Sequence, residues 1–526
     1  MSATKTTTPR RTLLRPWLLL SMFAAFALGL AACGGSDSGS SNSLAGIGEG
    51  DGESPAAAEL LPADVPVLLT LNTDMESEEW KRASDIAARF PASQDAIDSA
   101  LSSLVGDGVD FDADVRPALG SDITIAMLEL TEDDPPIAMV LRPNDASKLD
   151  ELLTKGQADD PGSSPAWRVI GDWYLLADDE AALDALIAST EQASLADAPR
   201  FSELMSALPG NSLARMWISP AVTRELVDQT AADNPESIEA LQNLLGGVSL
   251  GTFEGAAFAI LATEAGVELV GLSKTVGATV PSAGTSEILN LAPAGAIVFV
   301  STRDLRESVK QTIDAALQAQ PDTEAQLGQF EALLGLTIED DLLPLFENEH
   351  AVYVRPGEPI PEITIVLSPD DAAEGASLIN RLLAMAELGG DSFALQSEEI
   401  AIGDRVAQRI TLNGQTVYVA DVEDRLVITT TMEGVADFGA SESLKDDEQF
   451  SAAADAAGLP DETAGFIYID VKGSLGLASL GSSLGLPGSD SLDPATLDNL
   501  APLGALLAFG TASEDEQQFA ALLTIE

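Results

Sequence analysis

The chain has one cysteine, one histidine, four tyrosines and five tryptophans in 526 residues, and each scarcity closes off a kind of chemistry. Cys33 is the lone thiol and lies near the amino terminus, so the long remainder has no disulfide, no Cys-ligated zinc and no cysteine nucleophile. His350 stands alone before Ala351-Val352-Tyr353-Val354, and one imidazole without partners makes neither a catalytic triad nor a metal site. Basic side chains are also few, 26 against 85 acidic ones, a formal net charge of −59. Four of the 26, Lys5, Arg10, Arg11 and Arg15, precede Cys33 where no acid occurs, which leaves 22 basic against 85 acidic residues and a net of −63. A phosphate backbone is repelled by that surface, and no Lys/Arg cluster offers an exception, so nucleic acid is excluded as a partner. Anionic head groups are repelled as well, so any hold on a membrane has to come from lipid. Long apolar runs are missing too. The one at Trp17 to Leu30 falls short of the roughly 20 residues a helix needs to cross a bilayer.

What is present at the amino terminus is an ordered signal. The basic residues come first, then the apolar run, then Leu30-Ala31-Ala32-Cys33. Together these resemble a bacterial lipoprotein signal peptide, in which the thiol receives a diacylglycerol and becomes the first residue of the mature chain. Export and cleavage fit the short run and its small terminal residues better than an uncleaved anchor does. Two or more acyl chains of the palmitate type hold a protein stably on a bilayer, at about 0.8 kcal/mol per buried methylene. The expected lipidation site is Cys33, and the expected location is extracytoplasmic, at the cell membrane or outer membrane. Residues 34–58 are Ser, Gly, Asn, Asp and Glu with few large apolar side chains, which reads as a flexible stalk. Gly46, Gly48 and Gly50 lack the flanking strand and helix of a phosphate loop.

The rest of the chain matches itself in order. Leu61-Pro62-Ala63-Asp64-Val65-Pro66-Val67-Leu68-Leu69 aligns with Leu291-Ala292-Pro293-Ala294-Gly295-Ala296-Ile297-Val298-Phe299. Asp114-Val115-Arg116-Pro117-Ala118-Leu119 aligns with Asp341-Leu342-Leu343-Pro344-Leu345-Phe346, with Asp as a helix cap and Pro in the first turn. Ile137 to Ala146 aligns with Ile363 to Ala372, and Arg200-Phe201-Ser202 with Gln449-Phe450-Ser451. A strand follows each of the last pair, Ala214 to Ser219 and Gly465 to Asp470, and hairpins at Ala256 to Leu272 and Ala505 to Thr524 close the units. This predicts a tandem duplication: a leader at 1–33, a stalk at 34–58, unit 1 at 59–276, a linker at 277–288 and unit 2 at 289–526. Short strands alternate with amphipathic helices, as at Ser77 to Phe90, where Trp80, Ala83, Ile86, Ala87 and Phe90 fall on one face. Tight turns, as in Trp167 to Ala177, argue for antiparallel pairing. The expected fold is α+β, two tandem, internally duplicated lobes of mainly antiparallel sheet with packed helices.

Three motifs invite chemistry. Asp110, Asp112 and Asp114 have a calcium-loop spacing, but Val115 replaces the required glycine and Ser121 the bidentate acid, so capping is preferred over metal binding. Gly481-Ser482-Ser483-Leu484-Gly485 matches a nucleophile elbow in letters, yet His350 comes before it where the triad order needs a later histidine. Carboxylate pairs for glycoside cleavage cannot be chosen among 85 acids, because the separation that matters is spatial.

The lipobox, the polar stalk, the Leu61-Pro62-Ala63-Asp64 start and the Asp114-Val115-Arg116-Pro117-Ala118-Leu119-Gly120 segment resemble an uncharacterised family of bacterial exported proteins with a domain of unknown function. The resemblance spans most of the mature chain, although unit 2 has Gly295 for Asp64 and Glu347 for Gly120. It implies an envelope location and brings no established activity or site residues, so no catalytic, cofactor-binding or metal residue is assigned from it. The expected function is a noncatalytic interaction or structural module held to the membrane by lipid, with an envelope protein as partner and no cofactor. A carrier of an apolar or lipid ligand is the alternative, with Gly473 to Gly488 as its lid. A carboxylate-dependent hydrolase is the third reading.

Overall fold

Strands that follow one another through short turns tend to pair antiparallel, and this chain does so throughout. The computed structural model describes residues 54–93, 110–130, 135–159, 165–222, 252–277, 282–306, 335–357, 360–388, 395–412, 414–440, 442–476, 494–512 and 515–526, with a few isolated positions between them. Cys33, most of the stalk, Gly46 to Gly50 and Gly481 to Gly485 lie outside the described residues.

The first half runs β1 (Val67–Asn72), α1 (Glu78–Ala87), β2 (Asp122–Met127), β3 (Ile137–Leu141), α2 (Ala146–Asp159), β4 (Ala166–Ile170) and β5 (Trp173–Ala177). It continues with α3 (Glu180–Thr190), α4 (Pro199–Ser206), β6 (Ala214–Ile218), β7 (Thr252–Ala262) and β8 (Gly266–Val276). The second half runs β9 (Val298–Arg303), β10 (Glu349–Arg355), β11 (Glu362–Leu367), α5 (Ala372–Leu388), β12 (Leu395–Ile402), β13 (Arg405–Leu412) and β14 (Gln415–Val422). It ends with β15 (Arg425–Thr429), α6 (Met432–Asp437), α7 (Glu448–Ala457), β16 (Gly465–Asp470), α8 (Pro494–Leu500), β17 (Leu503–Ala512) and β18 (Glu516–Ile525).

The 18 strands of the described residues join one sheet. The first half is ordered β4-β5-β3-β2-β1-β6-β7-β8. The second is ordered β12-β13-β14-β15-β11-β10-β9-β16-β17-β18. Their last strands, β8 and β18, pair antiparallel from Lys274 opposite Glu516 to Gly266 opposite Thr524. The fold is α+β on an antiparallel sheet, as the turn-rich sequence implies.

Both halves share a core along one face of the sheet. Leu68, Trp217 and Val270 belong to the same buried cluster as Phe299, Tyr468 and Leu522, and α3, α4, α6 and α7 cover it through Leu183, Phe201, Val435 and Phe450. On the opposite face Leu149 of α2 packs with Leu141, Tyr174 and Leu176, while α5 packs Leu378 against Leu336 and Leu345. Helix α1 starts at Ser77, whose hydroxyl accepts from the Trp80 amide at 3.3 Å, and its Ile86 reaches Ala262 of one half and Ile525 of the other.

Several contacts recur in the two halves. Pro62 bridges to Ser194 and Pro293 to Ser443. Phe201 meets Trp217 edge-on at 5.7 Å and 87°, and Phe450 meets Tyr468 at 5.1 Å and 78°. The Ser202 hydroxyl donates to the Ala196 carbonyl at 3.1 Å, the Ser451 hydroxyl to that of Lys445 at 2.8 Å. Ala166 and Tyr418 stand at the same place relative to β5 and β15, so the β12–β13 hairpin has no counterpart in the first half.

Three expectations need correction. Val67 faces both Met127 and Ile218, and Val298 faces both Val354 and Ile469, so Val67 corresponds to Val298 and not to Ile297. A slip of one residue turns every side chain to the other face; the true register puts Leu68 and Phe299, both 0% exposed, on the core side. Ala56–Leu60 form a 3-10 turn with Ala57 and Ala58 buried, so the folded body begins inside the segment expected to be stalk; alanine packs closely while adding little to the hydrophobic signal. Ile137–Leu141 and Ile363–Leu367 are strands as expected, but β11 buries Glu362, Thr364 and Val366 and leaves Ile363 and Ile365 exposed, the reverse of its apparent polarity.

Candidate functional site

The calcium-like aspartates are occupied within their own turn. Phe111–Val115 form one π-turn, in which the Asp110 carboxylate accepts from the Ala113 amide at 2.8 Å and Asp114 accepts from the Asp110 amide at 3.1 Å. Asp112 pairs with Arg116 at 2.9 Å. Ile338–Leu342 repeat the turn: the Thr337 hydroxyl accepts from the Asp340 amide at 3.1 Å, and Asp341 accepts from the Thr337 amide at 2.7 Å. The expected caps are corrected: Asp110 and Thr337 cap the π-turns, Asp114 and Asp341 each accept from the amide four residues back, and the Pro-containing 3-10 turns have no side-chain cap. No group of three or more potential metal-ligating side chains is found among the described residues.

A second polar cluster gathers at the linker. The Glu349 carboxylate accepts from the Ser286 hydroxyl, the Ser301 hydroxyl at 3.0 Å, and the amides of Glu287 and Ile288 at 2.8 and 3.1 Å. Asp304 accepts from the Ser282 amide at 2.8 Å, and Arg303 donates to the Thr285 carbonyl. Residues 282–288, part of the expected linker 277–288, are thereby tied to β9, β10 and Asp304 just after β9. Next to Glu349, the His350 ring is buried against Phe346, centroids 6.0 Å apart, with neither nitrogen in hydrogen-bond geometry to a described partner. Burial pushes its pKa down, against weaker upward pulls from the Phe346 backbone, Glu349 and Asp304.

The third cluster lies in the core of the second half. Arg355 donates from Nε and Nη2 to the two oxygens of Glu362, both at 2.8 Å, and from Nη2 to Asp437 at 2.9 Å. The Thr431 hydroxyl caps α6, accepting from the Gly434 amide at 3.0 Å, and donates to Glu362 at 2.9 Å. Thr364 and Thr429, opposite each other on β11 and β15, are hydrogen-bonded at 2.8 Å, where the first half has Ala138 opposite Ala177. Tyr353 lies fully buried beside them, its hydroxyl unpaired among the described residues and its pKa pushed up by burial. Ordinary fork pairing and capping account for this network, and it fixes α6 in place.

One buried acid has no such support. Glu268 points to the core side of β8, between Leu261 of β7 and Leu522 of β18, and is 8% exposed. Burial pushes its carboxyl up to about 6. Sequence reasoning singled out neither Glu268 nor Glu362, yet both stand at inward positions of strands, Val267-Glu268-Leu269-Val270 and Glu362-Ile363-Thr364-Ile365. An acid in phase with a strand's buried residues was the available signal.

A surface hollow of about 440 Å³ runs along α2, lined by Asp150, Glu151, Thr154 and Lys155. The four residues carry charged or polar heads, but the surface they turn into the hollow is mostly aliphatic stem.

These features define an α+β protein whose described acids mostly cap, pair or tie down loops. A family model described as a protein of unknown function, DUF3352, matches residues 21–488, and the chain belongs to that family. Among solved structures, crystal forms III and I of TP0453 are similar to it: each is 12% identical with a TM-score of 0.23, covering 45% and 46% of this chain and 80% and 79% of TP0453. A search of curated proteins finds no match.

Proposed function

We propose that this protein is a noncatalytic interaction or structural module of the bacterial cell envelope, exported by its leader and held to a membrane by acyl chains on Cys33. Its body is a tandem duplication whose two units act as one rigid piece on a short tether. The observation that carries this reading is the β8–β18 ladder, which fuses the two halves into one sheet over a shared core, so force or binding on one half is transmitted to the other. The lipobox supports the anchor, and the matched Phe201–Trp217 and Phe450–Tyr468 contacts support the duplication. The structural employment of Asp110, Asp114, Glu349 and Glu362 supports a noncatalytic role.

Cell fractionation with Cys33→Ser tests the anchor: the variant is expected in the soluble extracytoplasmic fraction, and its retention on membranes overturns lipid attachment. Native mass spectrometry of that soluble variant tests the module. A mass equal to the polypeptide is expected; a stoichiometric lipid adduct overturns the module in favour of an apolar-ligand carrier.

A further inference from the structure

In the second half the sheet is longer by one hairpin, β12–β13, inserted between α5 and β14, where the first half passes from α2 to β4 through residues 160–165. The first half builds its share of the core without such a hairpin, so β12 is not a requirement of the fold. Strand β12 is the last of its ladder: it pairs with β13 from Leu395 opposite Leu412 to Ile402 opposite Arg405, and among the described residues no strand lies on its other side. The loop between the two strands is Gly403 and Asp404, so Ile402 and Arg405 exchange both backbone bonds, while the backbone groups of Ala401 and Glu399 point away from β13. Among the described residues no backbone partner meets those two. Open edges are ordinarily blunted by proline, lysine or a bulge. Leu395-Gln396-Ser397-Glu398-Glu399-Ile400-Ala401-Ile402 has none of these.

The side chains of β12 define what fits beside it. On one face Ala401 is exposed opposite Val406 of β13, itself 59% exposed, and Glu399 is exposed opposite Gln408, with no ion pair among the described residues. On the other face Ile400 is half-buried, and the exposed Glu398 pairs with Arg409 of β13. We propose that the open edge of β12 is a docking site for an extended segment of a partner protein, added antiparallel, with two apolar residues opposite Ala401 and Ile400 followed by two basic residues opposite Glu399 and Glu398. This rests on the reading of the protein as an interaction module, and it names the surface and the chemistry of the partner. Backbone bonds to Ala401 and Glu399 hold the added strand, and the side chains select it. Arg409 already shows the match on the inner side, a cation opposite Glu398 across the ladder. A second copy of this chain is a poor occupant. In twofold pairings centred on the acids, Glu398 or Glu399 meets its own counterpart, like charge against like, on a chain of net charge −59.

Amide hydrogen exchange on the soluble Cys33→Ser chain, with a synthetic peptide built around valine-valine-lysine-lysine, is the test. The peptide is expected to slow exchange in residues 398–402 and to bind about tenfold more tightly than one with glutamate in place of lysine, a preference that fades as salt rises. Ala401→Pro removes an outward amide while sparing the bonds to β13, and should abolish the slowing. Glu398→Lys with Glu399→Lys keeps the edge and should reverse the preference between the two peptides. Unchanged exchange in the β14–β15 ladder marks each variant as folded. No slowing in the native edge, equal slowing by both peptides, or slowing that persists in folded Ala401→Pro overturns the proposal. Slowing that grows with protein concentration alone overturns it in favour of a second copy. The module reading survives each of these results, since it falls with a stoichiometric lipid adduct.

Discussion

Val270 and Ala520 face each other across β8 and β18, both on the core side and at most 1% exposed. Val270 also pairs with Ala259 in the first hairpin, and Ala520 with Phe509 in the second, so this one pair connects the two hairpins through the middle of the sheet. A carboxylate at such a position is desolvated with no partner, at a cost of about 3–5 kcal/mol. Ala520→Asp is expected to lower the urea midpoint of the whole molecule. Trp80, Trp167, Trp173 and Trp217 all lie in the first half, so their fluorescence reports on it while far-ultraviolet circular dichroism reports on both. The two probes should give coincident transitions in the native chain and in the variant. Separated midpoints in the native chain would show that the halves unfold independently.

The Arg355–Glu362 pair predicts an asymmetry between breaking and replacing. Arg355→Ala leaves Glu362 buried without its counter-charge, held by the Thr431 hydroxyl, and should cost about 3–5 kcal/mol; Arg355→Met with Glu362→Leu should recover most of it. Equal losses in the single and double variants, measured by denaturant unfolding, would contradict this account of the network.

Tyr353→Phe removes a buried hydroxyl that has no partner among the described residues. Since that group is desolvated without compensation, its removal should leave stability unchanged or raise it by up to about 1 kcal/mol. A loss above 1 kcal/mol would reveal a hydrogen bond to the hydroxyl.

Gly120 and Gly156 make a contrasting pair. A Cβ at Gly120 would lie 1.9 Å from the Arg142 carbonyl oxygen, on backbone that also receives the Thr73 hydroxyl at 2.8 Å, so Gly120→Ala should cost about 1–3 kcal/mol. At Gly156, within α2, a Cβ meets nothing within 4 Å, and Gly156→Ala should stabilise by about 0.5–1 kcal/mol. Thermal unfolding of the two variants reads both signs.

His350 gives the chain a pH dependence opposite in sign to that of Glu268. Its folded pKa lies below the unfolded value of 6.5, so the native state binds fewer protons than the unfolded one. The His350 contribution is fully present above pH 6.5 and is lost as pH falls from there through the folded value. His350→Phe should flatten this part of the stability profile. A profile unchanged in the variant would assign the acid loss to other groups.

Much of the architecture was legible because it depends on local pattern. Gly465 to Asp470 was readable as a strand and occupies β16 at those limits, and Trp167 to Ala177 folds as a hairpin around Gly171, whose φ of +64° suits glycine. The alignment of the two stretches was off by one residue at Val67, whose strand pairings match those of Val298. Burial alternation decides such a register, and an apolar run such as Val67-Leu68-Leu69 contains no alternation to read. The polar clusters were much less legible. Glu349 is satisfied by donors more than 45 residues distant in sequence, distances at which no local pattern operates, whereas Glu362 pairs with Arg355 across the β10–β11 hairpin and takes its further donor from Thr431, 69 residues away.

The amino-acid order by itself determined the acidic surface, the lack of thiol chemistry beyond Cys33, the likeness of the amino terminus to a lipoprotein leader, and the alternation of strands and helices. All of these follow from composition or from residues close along the chain. Only the tertiary structure decided that β8 and β18 share one ladder, that residues 282–288 are tied down, and that Glu268 stands on the core side of that ladder. Those facts depend on which strand edges meet in space, and an open edge will accept any strand of matching length and twist until the packing beneath it selects one.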